Sequence, residues 1–412
     1  MANLVNFQKD VDAIVGLGVK SAAKRTGSYN TGDTPGGLIL SADSKKSHIP
    51  PSFITVSDVD VLKDLCGIYD SLYTQGTLKD THSIPPVRNE KSEAITNPHH
   101  PHVCDALYAY VYGDSRQVAS WKDTLNKLRF PMKVTVFTAN TITVQPGNPL
   151  VLKGTDQNPI ALVCDSLVIE PGGQVITEGP GKVSVDVMSG GDQSVALDSN
   201  SPNLLSVGGN GGAGGSGGAG ATGSTGASGS NASESGKSGC NDAGQGGVGG
   251  TGTDGSPGGI GGAGAPASEI NYSVSSLSGT YSVGSIGGSG GAAGAGGAGG
   301  TGGQGGPGGS SCRDCGTGSQ GNGGQGGNGG NGGAGGAGGN GSKVYINYTS
   351  GTPNLTISNL TADGGAGGNG GNAGAGGSGS SNGGPGNAGT AGAGGAGGQP
   401  GQVIINGITS SN

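Results

Sequence analysis

Residues 288–309 read GSGGAAGAGGAGGTGGQGGPGG, with glycine at every third position from Gly288 to Gly309. The same unbroken phase holds over 208–229, 246–264, 318–339, 365–377 and 383–401. Flexible linkers do not keep such a phase. A period of three fits the polyproline-II conformation, which has three residues per turn and rises about 3.1 Å per residue. That helix makes no internal hydrogen bonds, so its backbone groups need partners if they are buried. Glycine along one or two of its three edges lets neighbouring helices approach until amides and carbonyls bond between them. Glycine is entropically expensive to order, so such an array depends on many cooperative backbone bonds. The competing reading, a disordered low-complexity tail, leaves the strict phase unexplained.

The interruptions are regular as well. EINYSVSSLSGTYSVGS (269–285), KVYINYTSGTPNLTISNLTAD (343–363) and QVIINGITSSN (402–412) are β-rich, whereas 230–245, 310–317 and 378–382 are polar turns. The pattern is a β-segment, a glycine helix out, a turn and a glycine helix back, three times over. Outbound helices begin at 208, 288 and 365. Three hairpins of six glycine helices stacked side by side, with β-segments at their base, are expected. A 22-residue run reaches about 68 Å, so the array would form a stiff blade.

Upstream the periodicity differs. Leu4, Phe7, Val11 and Ile14 recur at helical spacing. Residues 26–56 read as loop. Ser57 opens a helix with Asp60 in a capping-box position and a stripe of Val61, Leu65, Ile68 and Leu72. A Pro- and His-rich loop over 76–102 precedes two further helical pieces, 104–112 and 115–129. At Lys133 the period becomes that of strands. ITVQPGNPL (142–150) and LVIEPGGQV (167–175) echo each other 25 residues apart, the length of a coil in a parallel β-solenoid; an antiparallel sandwich is the alternative. The expected fold class is mixed: an α-helical head over 1–131, a short solenoid-like β domain over 132–207, and a polyglycine-II bundle over 208–412.

Composition sets further limits. Of 412 residues, 98 are glycine and 20 proline. Only six prolines lie beyond residue 207, which excludes collagen, whose triplets are proline-dense. The net charge of −7 comes with no basic patch, so nucleic-acid binding has no support. No run of about 18 apolar residues is present to span a membrane. The N-terminal MANLVNFQKDVDAIVG lacks the basic and apolar regions of a cleaved signal peptide.

The glycine runs resemble the polyglycine-II bundles of the receptor-recognising adhesins at the tips of T-even phage long tail fibres. They are also similar to the glycine-repeat domains of snow-flea antifreeze protein and of mycobacterial PGRS proteins. The resemblance covers about half the chain, and residues 1–206 carry no motif of these families. The phage adhesins bear aromatic residues in their tip loops; here the tip turns have none, and Tyr272, Tyr281, Tyr345 and Tyr348 fall in the base segments.

No catalytic set is recognisable, so no enzyme and no cofactor are expected. The first expectation is a structural protein that self-assembles as a filament or surface layer, or is displayed on a surface. Its partner is then itself, through an assembly edge at Val403, Ile404 and Ile405. The second is a phage-type adhesin, whose partners are a fibre protein and a cell-surface receptor. Ice binding ranks last, because it needs a flat Thr/Ala face and threonine is sparse in the runs. Location outside the cell or on a virion is expected, reached by a non-Sec route or by lysis.

Three clusters remain. His99, His100, His102 and Cys104 lie close together, but their spacing on a Pro-broken loop does not match common structural zinc patterns, so no metal is assigned. Cys312 and Cys315 form a CxxC in a glycine turn, read as a small disulfide or two free thiols pinning the tip rather than a redox site; Cys240 occupies the equivalent turn of the first hairpin, so a tip crosslink that involves it is the alternative. Gln325, Asn328, Asn331 and Asn340 recur along one edge of the fourth run, about 9 Å apart or a multiple of it, as a ladder for lateral contact.

Overall fold

The computed structural model describes residues 5–76, 78–80, 82, 84–85, 100–155, 158–190, 201–235 and 239–410. Helix α1 (Phe7–Gly16) begins where the Asn6 side chain accepts the Lys9 amide, and it buries Phe7, Val11 and Ile14. The loop expected over 26–56 instead contains strands β1 (Ser28–Asn30), β2 (Leu38–Ser41) and β3 (Ser52–Val56). They are too short to signal themselves among Gly, Asn, Asp and Pro, and partners distant in sequence recruit them.

Helix α2 (Val59–Cys66) is capped by Asp58, whose carboxylate accepts the amides of Asp60 and Val61 at 3.1 Å. It starts two residues later than expected and stops at Gly67, which takes the left-handed φ of 75° suited to glycine. The expected stripe is thereby broken. Val59, Leu62 and Cys66 are the buried apolar residues of α2, and Leu72 is buried separately in α3 (Asp70–Thr74). Helix α4 (His100–Tyr112) is followed by a 3-10 segment (Ser115–Trp121) and α5 (Lys122–Arg129). The buried Lys63 ammonium donates to the carbonyls of Tyr110 and Gly113 at 2.9 and 2.7 Å, satisfying the end of α4, and pairs with Asp70 at 3.1 Å.

The chain then alternates between two sheets. Strands β4 (Met132–Val144), β6 (Ile160–Ile169) and β8 (Gly181–Gly190) enter one; β5 (Leu150–Lys153), β7 (Val175–Glu178) and β9 (Leu204–Val207) enter the other. A small hairpin, β10 (Ser233–Ser235) and β11 (Gly239–Asn241), lies in the first polar turn. The three β-rich interruptions continue the alternation: β12 (Ile270–Ser278) with β13 (Thr280–Ile286), β14 (Lys343–Ser350) with β15 (Asn354–Ser358), then β16 (Gln402–Ile405) and β17 (Ile408–Ser410).

The first sheet runs β1-β4-β6-β8-β12-β14-β16-β17, with β3 also on β4; the second runs β2-β5-β7-β9-β13-β15. All pairs are parallel except β3–β4 and β16–β17. Ile142 pairs with Leu167 and Leu150 with Val175, so the 25-residue echo is a true register. The fold is therefore mixed α and β, dominated by parallel strands. The alternation excludes the antiparallel sandwich, and strands from 28–56 join both sheets, so the first 131 residues are not wholly a helical head.

Between the sheets lies a core that includes Leu40, Ile142, Leu150, Leu162, Leu167 and Tyr272. Each fully buried Leu or Ile contributes roughly 1.5–3 kcal/mol by leaving water. A second core joins the helices to the outer face of the first sheet, where Phe7, Leu62, Val111 and Leu125 meet Val134, Val163 and Tyr345. Among the described residues no helix is long and apolar enough to cross a membrane.

Candidate interaction surfaces

The glycine runs leave the two sheets as long excursions, one pair between β9 and β12, one between β13 and β14 and one between β15 and β16. Among the described residues they contain neither α-helix nor strand beyond the β10–β11 pair in the first turn. Their amides bond from run to run. Gly211 of the first run donates to Ser289 of the third at 2.9 Å, and Ala293 of the third to Ala366 of the fifth at 2.9 Å. The bonds repeat every three residues up to Gly229→Pro307 and Gly305→Ser378. Second, fourth and sixth runs are linked likewise, from Gly246→Ser319 and Gly326→Gly384 onward. Crosswise bonds such as Gly291→Gly262 and Gly365→Gly336 join antiparallel neighbours. Odd runs thus form one parallel layer, even runs a second, and the layers face each other.

This arrangement explains which positions are glycine. A β-carbon on Gly288 would stand 1.9 Å from the Gly209 carbonyl oxygen, and one on Gly290 would stand 2.0 Å from that of Gly336. The third and fourth runs have neighbours on both sides, so two positions in three must lack a side chain; the third position points outward and carries Ser, Ala, Thr, Asn, Gln or Pro. Ala293 is the departure in its row. Beside it the Gly333→Gly294 bond lengthens to 3.0 Å, against 2.8 Å for Gly330→Gly297.

The asparagine ladder is engaged within the chain. The side-chain oxygens of Asn328, Asn331 and Asn340 accept the amides of Asn387, Thr390 and Gln399 of the sixth run at 2.9, 3.0 and 2.9 Å. Gln325 shares the row without such a bond. At the tip, Cys240 and Cys315 form a disulfide and Cys312 has a free thiol. Val403, Ile404 and Ile405 do not form an open edge: β16 lies between β14 and β17, and Val403 and Ile404 are buried. The antiparallel return at Asn406-Gly407 supplies the cap, and Gly407 takes a φ of 82° there.

Of the histidine cluster, His99 and the side chain of His100 lie outside the described residues. His102 and Cys104 fall on α4 and take part in no metal-type cluster among the described residues. The only such grouping there, Cys240, Asp242 and Cys315, includes the two cysteines already joined to each other.

Charged groups that the sequence did not single out lock the head to the sheets. His82 sits between Asp80 at 2.9 Å and Glu269 at 3.2 Å, and the Tyr345 hydroxyl lies 3.2 Å from its Nε2. Burial disfavours the His82 cation, but Glu269 and the hydrogen bonds of both carboxylates outweigh it and raise its pKa. Burial likewise opposes ionisation of Asp80, yet its bonds from His82 and from the Asp114 amide hold its pKa down to about 2. Lys182 bonds Asp10 at 2.8 Å, and Ser184 donates to the same carboxylate. No sequence signal links these partners, because each pair is brought together by the sheet stacking.

No protein-family model matches the chain, and no curated protein matches it. A solved structure that matches is a springtail antifreeze protein from Granisotoma rainieri, described as a nine polyproline type II helical bundle. It is 24% identical over 48% of this chain and 95% of that chain, with a TM-score of 0.06, a value that carries no argument about fold.

Proposed function

We propose that the protein is a non-enzymatic structural subunit. A parallel β-solenoid forms its base, and six polyglycine-II helices project from it as a rigid two-layer blade that self-assembles or is displayed on a surface. The observation that carries this reading is the run-to-run hydrogen-bond ladder, repeated every three residues through all six runs. None of the glycines with positive φ lies in a run, in keeping with a single left-handed extended helix throughout. Stiffness of this kind serves reach and lateral packing. The tip disulfide suits an oxidising location outside the cell or on a virion.

Negative-stain electron microscopy of purified protein tests the proposal, with blade-shaped particles that associate as concentration rises as the expected result. Particles that stay single at every concentration would remove self-assembly. The second reading, an adhesin with the tip as its recognition surface, is favoured by one feature: the disulfide fixes the turns at the far end of the blade. Binding of the tip-intact but not the tip-deleted protein to host cells would select it.

A further inference from the structure

The two long edges of the blade are unlike and complementary. Within each layer every run donates amides to the next run in chain order, so the last run has donors without acceptors and the first has acceptors without donors. In the sixth run the amides of Ala388, Ala391, Gly394 and Gly397 have no backbone partner among the described residues. They are bounded by Pro385 and Pro400, which occupy the same phase and have no N–H. In the first run the carbonyls of Asn210, Ala213, Ser216 and Ala219 likewise accept no backbone bond.

A second observation falls on the same edge. On the third run, Gly288, Gly291, Gly294 and Gly297 are glycine because a neighbouring run passes about 2 Å from where their β-carbons would be. The equivalent phase of the first run is Gly209, Gly212, Gly215 and Gly218, yet nothing in the chain lies closer than 4.0 Å to a β-carbon there. Beyond this stretch the phase changes to Ala221, Ser224 and Ala227. Glycine is thus kept, at an entropic cost, over the first four open triplets, whereas the carbonyls of Thr222, Thr225 and Ser228 nearer the tip are equally open but flanked by side chains.

We infer that the sixth run of one molecule docks on the first run of a second copy, as a parallel ladder of the kind that already joins the first and third runs. Four amides meet four carbonyls, and Gly209 to Gly218 admit the close approach. This ladder joins two different surfaces, the sixth run of one copy and the first run of the next, so the contact is heterologous and propagates as an open filament. Parallel runs require the two blades to point in opposite directions, because the sixth run returns to its base while the first departs from its own. The turn at 378–382 then lies toward the second copy's base. A cleft of 1070 Å³, lined by Tyr108, Lys153, Glu178, Pro180, Asn210 and Pro266, opens there to receive it. The fifth and sixth runs make the shortest hairpin, which leaves room for that base.

This rests on the self-assembly reading, and the experiment separates the two. Ala388→Pro/Ala391→Pro/Gly394→Pro removes donor amides that have no partner in the chain, and proline suits the polyproline-II backbone. Gly212→Leu/Gly215→Leu blocks the acceptor edge from open space, so a folding failure of one set leaves the other informative. Sedimentation velocity of the full chain over a concentration series, with circular dichroism as the fold control, reads the result. Expected is association of the wild type and a weakening by a factor of about 100 or more in either variant set, from the loss of several cooperative bonds. Mixing the two sets should give pairs and no longer species, because each set retains one competent edge. Folded variants that associate like the wild type would overturn the edge contact and leave self-assembly standing. A wild type that remains monomeric throughout would overturn both.

Discussion

A β-carbon on Gly300 would stand 1.9 Å from the carbonyl oxygen of Ala221, one run away. That oxygen is already bonded to the Thr253 amide at 2.9 Å, so it has no freedom to retreat. Gly300→Ala is therefore expected to destabilise the protein by about 1–3 kcal/mol, the usual range for overpacking. Gly384→Ala adds its methyl where nothing lies within 4 Å, and it should stabilise by about 0.4–1 kcal/mol through the unfolded chain. Denaturant unfolding of both variants is the measurement. Equal effects would mean that backbone approach is not what keeps these positions glycine.

The side-chain caps along the fourth run make a second prediction. Asn328, Asn331 and Asn340 each accept an amide from the sixth run. Their combined replacement by Ala should cost about 0.5–1.5 kcal/mol per bond, toward the lower end because the sites are exposed. Asp at the same positions keeps the acceptor and should restore most of the loss. Gln325→Ala, on the same row without such a bond, should change the unfolding midpoint little. Comparable destabilisation by Gln325→Ala would show that the row acts through something other than these caps.

How far the sequence reveals the molecule depends on the range of the cause. The period of three in 288–309 reports a local steric demand repeated many times, so the boundaries of all six runs can be read directly. The echo of Ile142 at Leu167 is similarly legible, because stacked strands share register. Strand β2 is not legible: Leu38 and Leu40 sit among turn residues, and only their pairing with Leu150 and Leu152 makes them a strand. The Val403–Ile405 edge reads as open for the same reason, since β17 gains its identity from a three-residue return. The His82–Glu269 pair spans 187 residues and has no pattern at all. The unlike edges follow from which run lacks a successor, a property of the assembled lattice.

Protonation of His82 gives a signed pH dependence. Its folded pKa lies above the ordinary 6.5, so the cation favours the folded state. The contribution is complete below about 6.5 and fades as pH rises through the folded value. Asp80 acts in the opposite sense. Held down to about 2, it stabilises above its ordinary 3.8 and loses that effect as pH falls toward 2. The junction between head and sheets should therefore be firmest between about pH 4 and 6.5. Thermal unfolding across pH 4–9 should show a decline on the alkaline side that His82→Gln flattens. An unchanged profile in that variant would place the pH dependence elsewhere.

The tip disulfide supplies the last prediction. Cys240 and Cys315 are 75 residues apart in sequence, and the bond closes a loop containing all of the second and third runs. Chain entropy alone assigns about 4 kcal/mol to closing a loop of that length. Ladder bonds already hold those runs in the folded protein, so the bond acts mainly by restricting the unfolded chain. Reduction should lower the unfolding midpoint without breaking the run-to-run hydrogen bonds, and Cys240→Ser/Cys315→Ser should reproduce the shift, whereas Cys312→Ser should not. Thiol labelling separates the cysteines without unfolding. Cys312 is partly exposed at the tip and should react readily with iodoacetamide. Cys66 and Cys164 are buried, which raises both thiol pKa values, that of Cys164 to about 12, and they should react only after denaturation. Peptide mapping that finds Cys312 bonded to Cys315, with Cys240 labelled, would replace the cross-hairpin bond by one local to a single turn, and the predicted stability shift on reduction would shrink accordingly.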